Sequence, residues 1–342
     1  MRHDVLSKKG YRAEDAAGDG NRFLCANGYM GMRGTVEEAG SRQLAAVTLA
    51  GVYDQYRDRW REPVNVPNGL SVQMLFDGKK MAPDDAETAS HEISLDYSCG
   101  LFRRDTDFGP LRLQSERFLS MADCHLMADR LRVSVGREGM LEIRAGISAD
   151  IWDINGPHLF DMRFRTGEAL LCEAVTGEKK IAVAVSQCVR AGFSDPETFE
   201  TDRSGAYRVW RKKVRSGEEL TLEVFSAVCT SRDCEDWRSR AEEACLAAKE
   251  KGFAACGKEH RDVWDAIRER SEVILEGDDA AALALHASQY HLNSIAPRHA
   301  GNMSIPARGL SGQTYKGAVF WDSEIFFFRC LSIRSRKSRD RC

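Results

Sequence analysis

The sequence predicts a chain in two parts, a large antiparallel β-sandwich followed by a run of helices. Three observations carry that expectation. Apolar and polar residues alternate with period two from about residue 20 to 228, short turn signals separate the alternating runs, and the spacing turns helical abruptly near Cys229. At 342 residues the chain is long enough for two domains.

The β part is legible run by run. Val72, Met74 and Phe76 lead into Asp77-Gly78 and then Lys79 and Met81, and Asp-Gly between alternating runs favours a two-residue hairpin turn. Ile93, Leu95 and Tyr97 alternate with Glu92, Ser94 and Asp96. Leu141, Ile143, Ala145 and Ile147 alternate with Glu142, Arg144 and Ser148, and Leu220, Leu222 and Val224 with Glu219, Thr221 and Glu223. In each run one face is apolar and the other wet, as in antiparallel sheets packed face to face with turns at Asn68-Gly69 and Ser216-Gly217.

Beyond Cys229, residues 234 to 251 are rich in helix formers, carry Trp237, Ala241, Ala244 and Ala248 on one side, and stop at Gly252. A second helix fits 258 to 275 with Val263, Trp264, Ile267 and Ile274 as its stripe. A third fits 279 to 296, with Leu285, Leu292 and Ile295 on one face and Pro297 ending it. The expected division is therefore a sandwich over 1–228, a helical linker over 229–276, the start of a second, helical domain over 277–328, and a separate basic tail over 329–342.

Composition narrows the function. A formal charge of −3 with no long single-sign run argues against nucleic-acid or membrane-surface binding and for a small neutral partner. No apolar stretch reaches the roughly 18 residues of a membrane helix, and the N-terminus lacks a signal peptide's apolar centre, so a cytoplasmic location is expected. The 11 cysteines are odd in number, with no Cys-x-x-Cys pair and no zinc spacing. Reduced thiols are expected, with no metal and no cofactor.

Two segments could carry chemistry. Gly28 to Gly34 is spaced G-x-x-G-x-x-G, without the strand-to-helix setting or the G-x-G-x-x-G order of a dinucleotide site. It reads as tight turns with glycine at positive φ. Residues 304 to 324 are denser: Arg308, Tyr315, Trp321, Asp322 and Glu324 bring a planar cation, two aromatic faces and two carboxylates to a glycine-rich loop. Aromatic rings stack on the C–H face of a pyranose, and carboxylates accept from vicinal hydroxyls, so this is a kit for gripping a sugar. Composition alone equally allows a structural turn in which Trp321 is core and Arg308 pairs with Asp322.

The block Ala307-Arg-Gly-Leu-Ser-Gly-Gln-Thr-Tyr-Lys-Gly-Ala-Val-Phe-Trp-Asp-Ser-Glu-Ile-Phe326 resembles the signature of glycoside hydrolase family 65, the inverting disaccharide phosphorylases and hydrolases that act on α-glucosides. Asn21 to Glu38 is similar to that family's N-terminal signature, and His260 with Trp264, followed by Ile274-Leu-Glu-Gly-Asp278, resembles its connector. The resemblance implies a β super-sandwich, a helical linker and the first part of an (α/α)6 barrel. It places Trp321 and Asp322 in the subsite for the non-reducing glucose, with Arg308 and Glu324 close by. It also implies an α-linked glucose disaccharide as substrate, inorganic phosphate as co-substrate in the phosphorylases, and room for a homodimer.

The family continues far beyond this motif, and the resemblance puts its general acid glutamate and phosphate-binding residues there, so no catalytic residue is assigned and Glu324 is not taken as the acid. The ending Arg329 to Cys342 resembles neither the family's continuation nor an amphipathic helix, and reads as a premature, shifted end. The expected function is an N-terminal fragment of a phosphorylase or hydrolase of carbohydrate metabolism, incomplete alone and closer to kojibiose-like or nigerose-like phosphorylases. The alternative is a non-catalytic β-sandwich that binds carbohydrate or mediates assembly.

Overall fold

The computed structural model describes residues 4–196, 198–271, 273–321 and 323. They form three antiparallel sheets. The largest has nine strands in the spatial order Val5–Lys9, Ser90–Asp96, Leu101–Asp107, Leu111–Leu119, Leu126–Val135, Glu219–Thr230, Ala182–Ala191, Leu170–Thr176 and Leu159–Arg165. The second has five, Thr198–Asp202, Gly205–Val214, Gly139–Ser148, Asn68–Phe76 and Lys79–Lys80. The third has four, Cys25–Ala26, Met30–Met32, Val47–Gln55 and Arg61–Val66.

The alternation read from the sequence explains how the first two sheets pack. Leu131, Val133, Val185 and Phe225 of the nine-stranded sheet share one buried core with Val72, Met74, Ile143 and Val209's neighbour Trp210 of the five-stranded sheet. The Asp77-Gly78 hairpin is present, with Phe76 paired to Lys79 and both turn residues at positive φ, 49° and 77°. Asn68-Gly69, expected as a turn, instead opens a strand. The chain passes there from the four-stranded to the five-stranded sheet, the Asn68 side chain accepts from the Leu70 N–H at 2.9 Å, and a side chain at position 69 would overlap Ser226.

The described residues also hold four α-helices: α1 (Ala16–Arg22), α2 (Trp237–Lys251), α3 (Phe253–Ser271) and α4 (Asp279–Ile295). Helix α2 lies on the nine-stranded sheet, where Trp237 and Ala241 pack on Leu171, Ala184 and Cys229. The alanine stripe lets the helix come close enough for Ser186 Oγ to donate to Ala241 O at 2.6 Å. Gly252, at φ 82°, ends α2 and turns the chain so sharply that α3 begins at Phe253 rather than at 258.

Within α3, Trp264 stacks on Tyr290 of α4 with ring centroids 5.3 Å apart. His260 donates from Nε2 to Cys99 O at 2.6 Å and accepts the Met121 N–H at Nδ1. Both bonds suit the neutral ring, and burial lowers its pKa to about 4. Asp278 caps α4 by accepting from the Ala281 N–H at 3.0 Å. The apolar stripe expected on α4 is only half-buried at Leu285, Leu292 and Ile295. The buried face carries Ala282, Tyr290, Asn293 and Ser294 instead, because Tyr290 reaches Trp264 and donates to Leu24 O at 2.9 Å.

Candidate functional site

The loop 304–321 is assembled from strained backbone held by distant partners. Tyr315 and Lys316 both adopt left-handed conformations, φ 60° and 61°, each unfavourable by about 1–2 kcal/mol for a residue with a Cβ. Local bonds offset part of this: Lys316 N–H donates to Gln313 O at 2.8 Å and Ala318 N–H to Tyr315 O at 3.0 Å, while Ala307 N–H to Ala318 O at 3.0 Å closes the loop. The rest comes from the four-stranded sheet, where Tyr53 Oη donates to Gly317 O at 2.8 Å and Gly317 lies so close to Pro63 that a Cβ would overlap it.

The glycine-dense N-terminal segment is the loop's other support. Gly28 alone of its glycines has positive φ, 85°. Gly31 instead sits flush against Leu310, and Gly34 against Phe23, so close approach rather than turn geometry explains those two. The Arg33 guanidinium, 3% exposed, donates to Ser311 O at 2.6 Å, to Asn21 Oδ1 at 2.9 Å and to Ala17 O at 3.0 Å, and lies over the Trp152 ring. Burial and the nearby Arg308 push its pKa down to about 10, so it remains charged at neutral pH. The two motifs that looked separate in the sequence therefore form one contact.

A buried polar cluster lies beneath the loop. Gln313, 1% exposed, donates to Asp153 Oδ1 at 2.5 Å and Pro63 O at 2.9 Å, and accepts from the Ile154 N–H at 2.7 Å. Nearby, His158 sits between Glu62 (Nε2 to Oε1, 2.9 Å) and Asp54 (Nδ1 to Oδ2, 3.3 Å). Both ring nitrogens face carboxylates, an arrangement that favours the doubly protonated ring. Burial opposes that charge, but Glu62, Asp153 and Asp54 outweigh it and raise the His158 pKa. Burial pushes Asp153 up to about 6, against the partial relief from Gln313 and His158.

The signs make this a pH-dependent anchor. Asp153 and His158 both have raised pKa values in the folded state, so Asp153 contributes fully only below its ordinary value of 3.8 and loses that contribution as pH rises through about 6, while His158 contributes fully below 6.5 and loses it as pH rises through its raised value. Glu62, lowered by His158 and Asn155 despite burial, stays ionised from pH 5 upward. Hydrogen exchange at residues 308–317, corrected for its intrinsic pH dependence, should quicken between pH 5 and pH 8, and Asp153→Asn should flatten the dependence. Unchanged protection across that range would refute it.

On the outer face of the same loop, Arg308 is exposed and Trp321 is 73% exposed, with Tyr315, Val319 and Phe320 beside them in sequence. Trp321 is thus a surface ring and not core. Asp322 and Glu324 lie outside the described residues. A cavity of about 240 Å³ is lined by Leu49, Tyr53, Arg232, Met303, Leu310 and Val319 among others, with no carboxylate among the described residues of its wall. Among the described residues no cluster of three or more His, Cys, Asp or Glu side chains is arranged to hold a metal ion, and no helix is long and apolar enough to cross a membrane. Tyr53, Asp153 and His158 carried no sequence signal of their own, because their partners lie up to 264 residues away.

Residues 6–267 match the glycosyl hydrolase family 65 N-terminal domain, and residues 286–340 match the glycosyl hydrolase family 65 central catalytic domain. The chain belongs to glycosyl hydrolase family 65. The second match runs to residue 340 and so takes in most of the segment that the sequence reading set apart as a basic tail. The nigerose phosphorylase of Lachnoclostridium phytofermentans is 35% identical over 94% of this chain and 46% of its own length. The 1,2-α-glucosylglycerol phosphorylase of Bacillus selenitireducens is 29% identical over 94% and 43%. A solved structure provisionally assigned as a kojibiose phosphorylase from the human microbiome superposes with a TM-score of 0.87 at 14% identity, over 96% of this chain and 46% of that one, which establishes a shared fold. The chain spans about half the length of the curated relatives it matches.

Proposed function

We propose that these residues form the N-terminal half of an inverting α-glucoside phosphorylase of carbohydrate metabolism, and that the loop 304–324 grips its non-reducing glucose. The division that fits is a β super-sandwich over 1–228, a helical linker over 229–276 and the first part of an (α/α)6 barrel over 277–328. The single observation that carries the reading is the loop itself: its inner face is fixed by Arg33, Gln313 and Tyr53 while Arg308 and Trp321 stay exposed on a family-matching motif.

In this reading the Trp321 indole stacks on the C–H face of the glucose, Asp322 accepts from vicinal hydroxyls, and Arg308 and Glu324 lie close by. Rigid placement of the sugar keeps its anomeric carbon in line for the two events of inversion. A general acid outside these 342 residues protonates the glycosidic oxygen, and phosphate attacks from the opposite face to give β-glucose 1-phosphate. Phosphate carries its own charge, so the site needs an anion pocket in place of a base. The phosphorylase names of the relatives favour this over hydrolysis. A cytoplasmic homodimer remains part of the proposal.

Calorimetric titration of the purified 342-residue protein with nigerose tests it. Binding should weaken at least tenfold in Trp321→Ala, since the ring supplies most of the contact area. No β-glucose 1-phosphate should form from nigerose and phosphate. Sugar affinity indifferent to Trp321 would overturn the glucose site, and turnover abolished by Glu324→Gln would overturn the placing of the acid.

A further inference from the structure

The sandwich holds a cavity that the proposed glucose site does not use. It is open to solvent and measures about 520 Å³, within the roughly 300–1,000 Å³ of small-molecule sites, and none of the described residues of its wall belongs to the loop 304–321. Gln73, Ser148, Asp150, Arg203, Ser204 and Tyr207 make that wall polar, and its aliphatic members, Ala39 and Ala149, are small. Several of these groups are locked in place. The Tyr207 ring is so closely enclosed that a Cβ at position 146 or 205 would overlap it, and the Arg144 guanidinium lies over it at 5.3 Å. Asp150 Oδ1 accepts from Ser41 Oγ at 2.5 Å, while its Oδ2 occupies the space that a side chain at position 40 would need, so glycine is required there. The Ala149 N–H donates to Ser204 O at 2.7 Å, which ties the Arg203-Ser204 turn to the segment carrying Asp150. By contrast, the Gln73 amide and the Arg203 guanidinium have no hydrogen-bond or ion-pair partner among the described residues. One fixed carboxylate and two uncommitted donors thus share a cavity.

From this arrangement we propose that the cavity is a second carbohydrate site, on the sandwich itself and independent of the loop, for a neutral polyhydroxylated ligand such as a single sugar. The charges decide against an ion. Asp150 and Arg203 offset each other, and the other carboxylate in the wall, Glu38, is already taken up by Arg104 at 2.6 and 2.7 Å. An anion would meet Asp150, and a cation would meet Arg203. An apolar ligand would gain little from two alanines. Sugar hydroxyls match what remains, because each can donate to Asp150 and accept from the Gln73 amide or the Arg203 guanidinium. A ligand held by both Asp150 and Arg203 would also keep the Ala149–Ser204 hydrogen bond closed, since those two residues flank it.

Hydrogen exchange of the 342-residue protein, with and without saturating glucose and with betaine at equal osmolarity as control, tests this. Exchange at residues 148–150 and 203–205 should slow by about fivefold or more in glucose and not in betaine. The slowing should persist in Trp321→Ala and shrink to less than about twofold in Gln73→Ala and in Arg203→Ala. Both variants should melt close to the wild type, because neither side chain holds a partner within the protein. Absence of glucose-specific slowing at these residues, or slowing that neither variant reduces, overturns the proposal. Slowing produced by inorganic phosphate in place of glucose marks an anion site and also overturns it. Loss of the slowing in Trp321→Ala shows that the cavity is no independent site and overturns it as well. Slowing here, with no Trp321-dependent change at 304–321, supports this site and overturns the glucose site on the loop alone.

Discussion

Arg104→Met is expected to lower the free energy of unfolding at neutral pH by about 3–5 kcal/mol, the range for removing one partner of a buried ion pair. The Arg104 side chain is wholly buried and holds Glu37 at 2.6 Å and Glu38 at 2.6 and 2.7 Å, with Thr106 as its fourth contact at 2.8 Å. Burial alone would raise Glu37, yet Arg104, Arg117 and the Ser115 hydroxyl hold it down at about 2. Burial dominates instead at Glu38 and at Asp129, whose pKa is well above the usual carboxylate range, so Asp129 is the member of the cluster kept neutral beside two guanidiniums.

Methionine would fill much of the arginine's volume and leave Glu38 buried without a cation and Glu37 with only Arg117, 4.0 Å away. The sign of the pH dependence follows. In the wild type the lowered Glu37 contributes stability that is full above the ordinary value of 4.5 and is lost progressively as pH falls from there through about 2. In the variant Glu38, already raised, moves higher and Glu37 loses the larger part of what holds it down, so the deficit should be largest at neutral pH and shrink by pH 5 as protons are taken up. Urea unfolding at pH 7 and pH 5 measures this, and adding Glu37→Gln and Glu38→Gln should recover much of the loss. A deficit under 1 kcal/mol, or one that grows in acid, would refute it. A loss of the expected size is a large part of the 5–15 kcal/mol typical of a folded protein.

Gly31→Val should detach the loop 304–321 while leaving the sheets folded. Any Cβ at position 31 would overlap Leu310 at its Cβ and its carbonyl oxygen, and backbone on both sides cannot yield as a flexible side chain would. Overpacking of this kind costs about 1–3 kcal/mol. The loop can avoid that cost by lifting away, which also removes the Arg33 bond to Ser311 O and loosens Gln313. Tryptic cleavage after Arg308 and Lys316 should therefore accelerate by tenfold or more, with an unchanged β-type circular dichroism spectrum. Cleavage at the wild-type rate, or collapse of the whole spectrum, would contradict the view that position 31 acts on the loop specifically.

Several parts of this architecture were legible beforehand because their causes are local. Alternation at Ile93 to Tyr97 and Leu141 to Ile147, the Asp77-Gly78 turn and the helix stop at Gly252 each depend on a few neighbouring residues. Asn68-Gly69 misled because the same residues that favour a turn also suit a strand that changes sheets, where glycine is required by Ser226 and not by φ. The stripe on α4 misled because periodicity marks which residues are apolar, whereas Tyr290 is buried through one long side chain that finds Trp264 and Leu24.

The sequence by itself determined the order of sheets then helices, the two glycine-rich motifs and, through the motif at 307–326, the family and the candidate residues Arg308 and Trp321. Only the tertiary structure decided that the two motifs touch. Glu37 and Glu38 tie the first motif into the nine-stranded sheet through Arg104, while Gly31 and Arg33 of the same motif carry the second, across 278 residues between Arg33 and Ser311. It also decided that Asp54, Glu62, Asp153 and His158 gather under Gln313, and that Trp60 meets Lys316. Such contacts leave no period or spacing in a single chain, because a buried charge needs only one partner of opposite sign and an exposed ring only one neighbour, and folding can bring either from any distance.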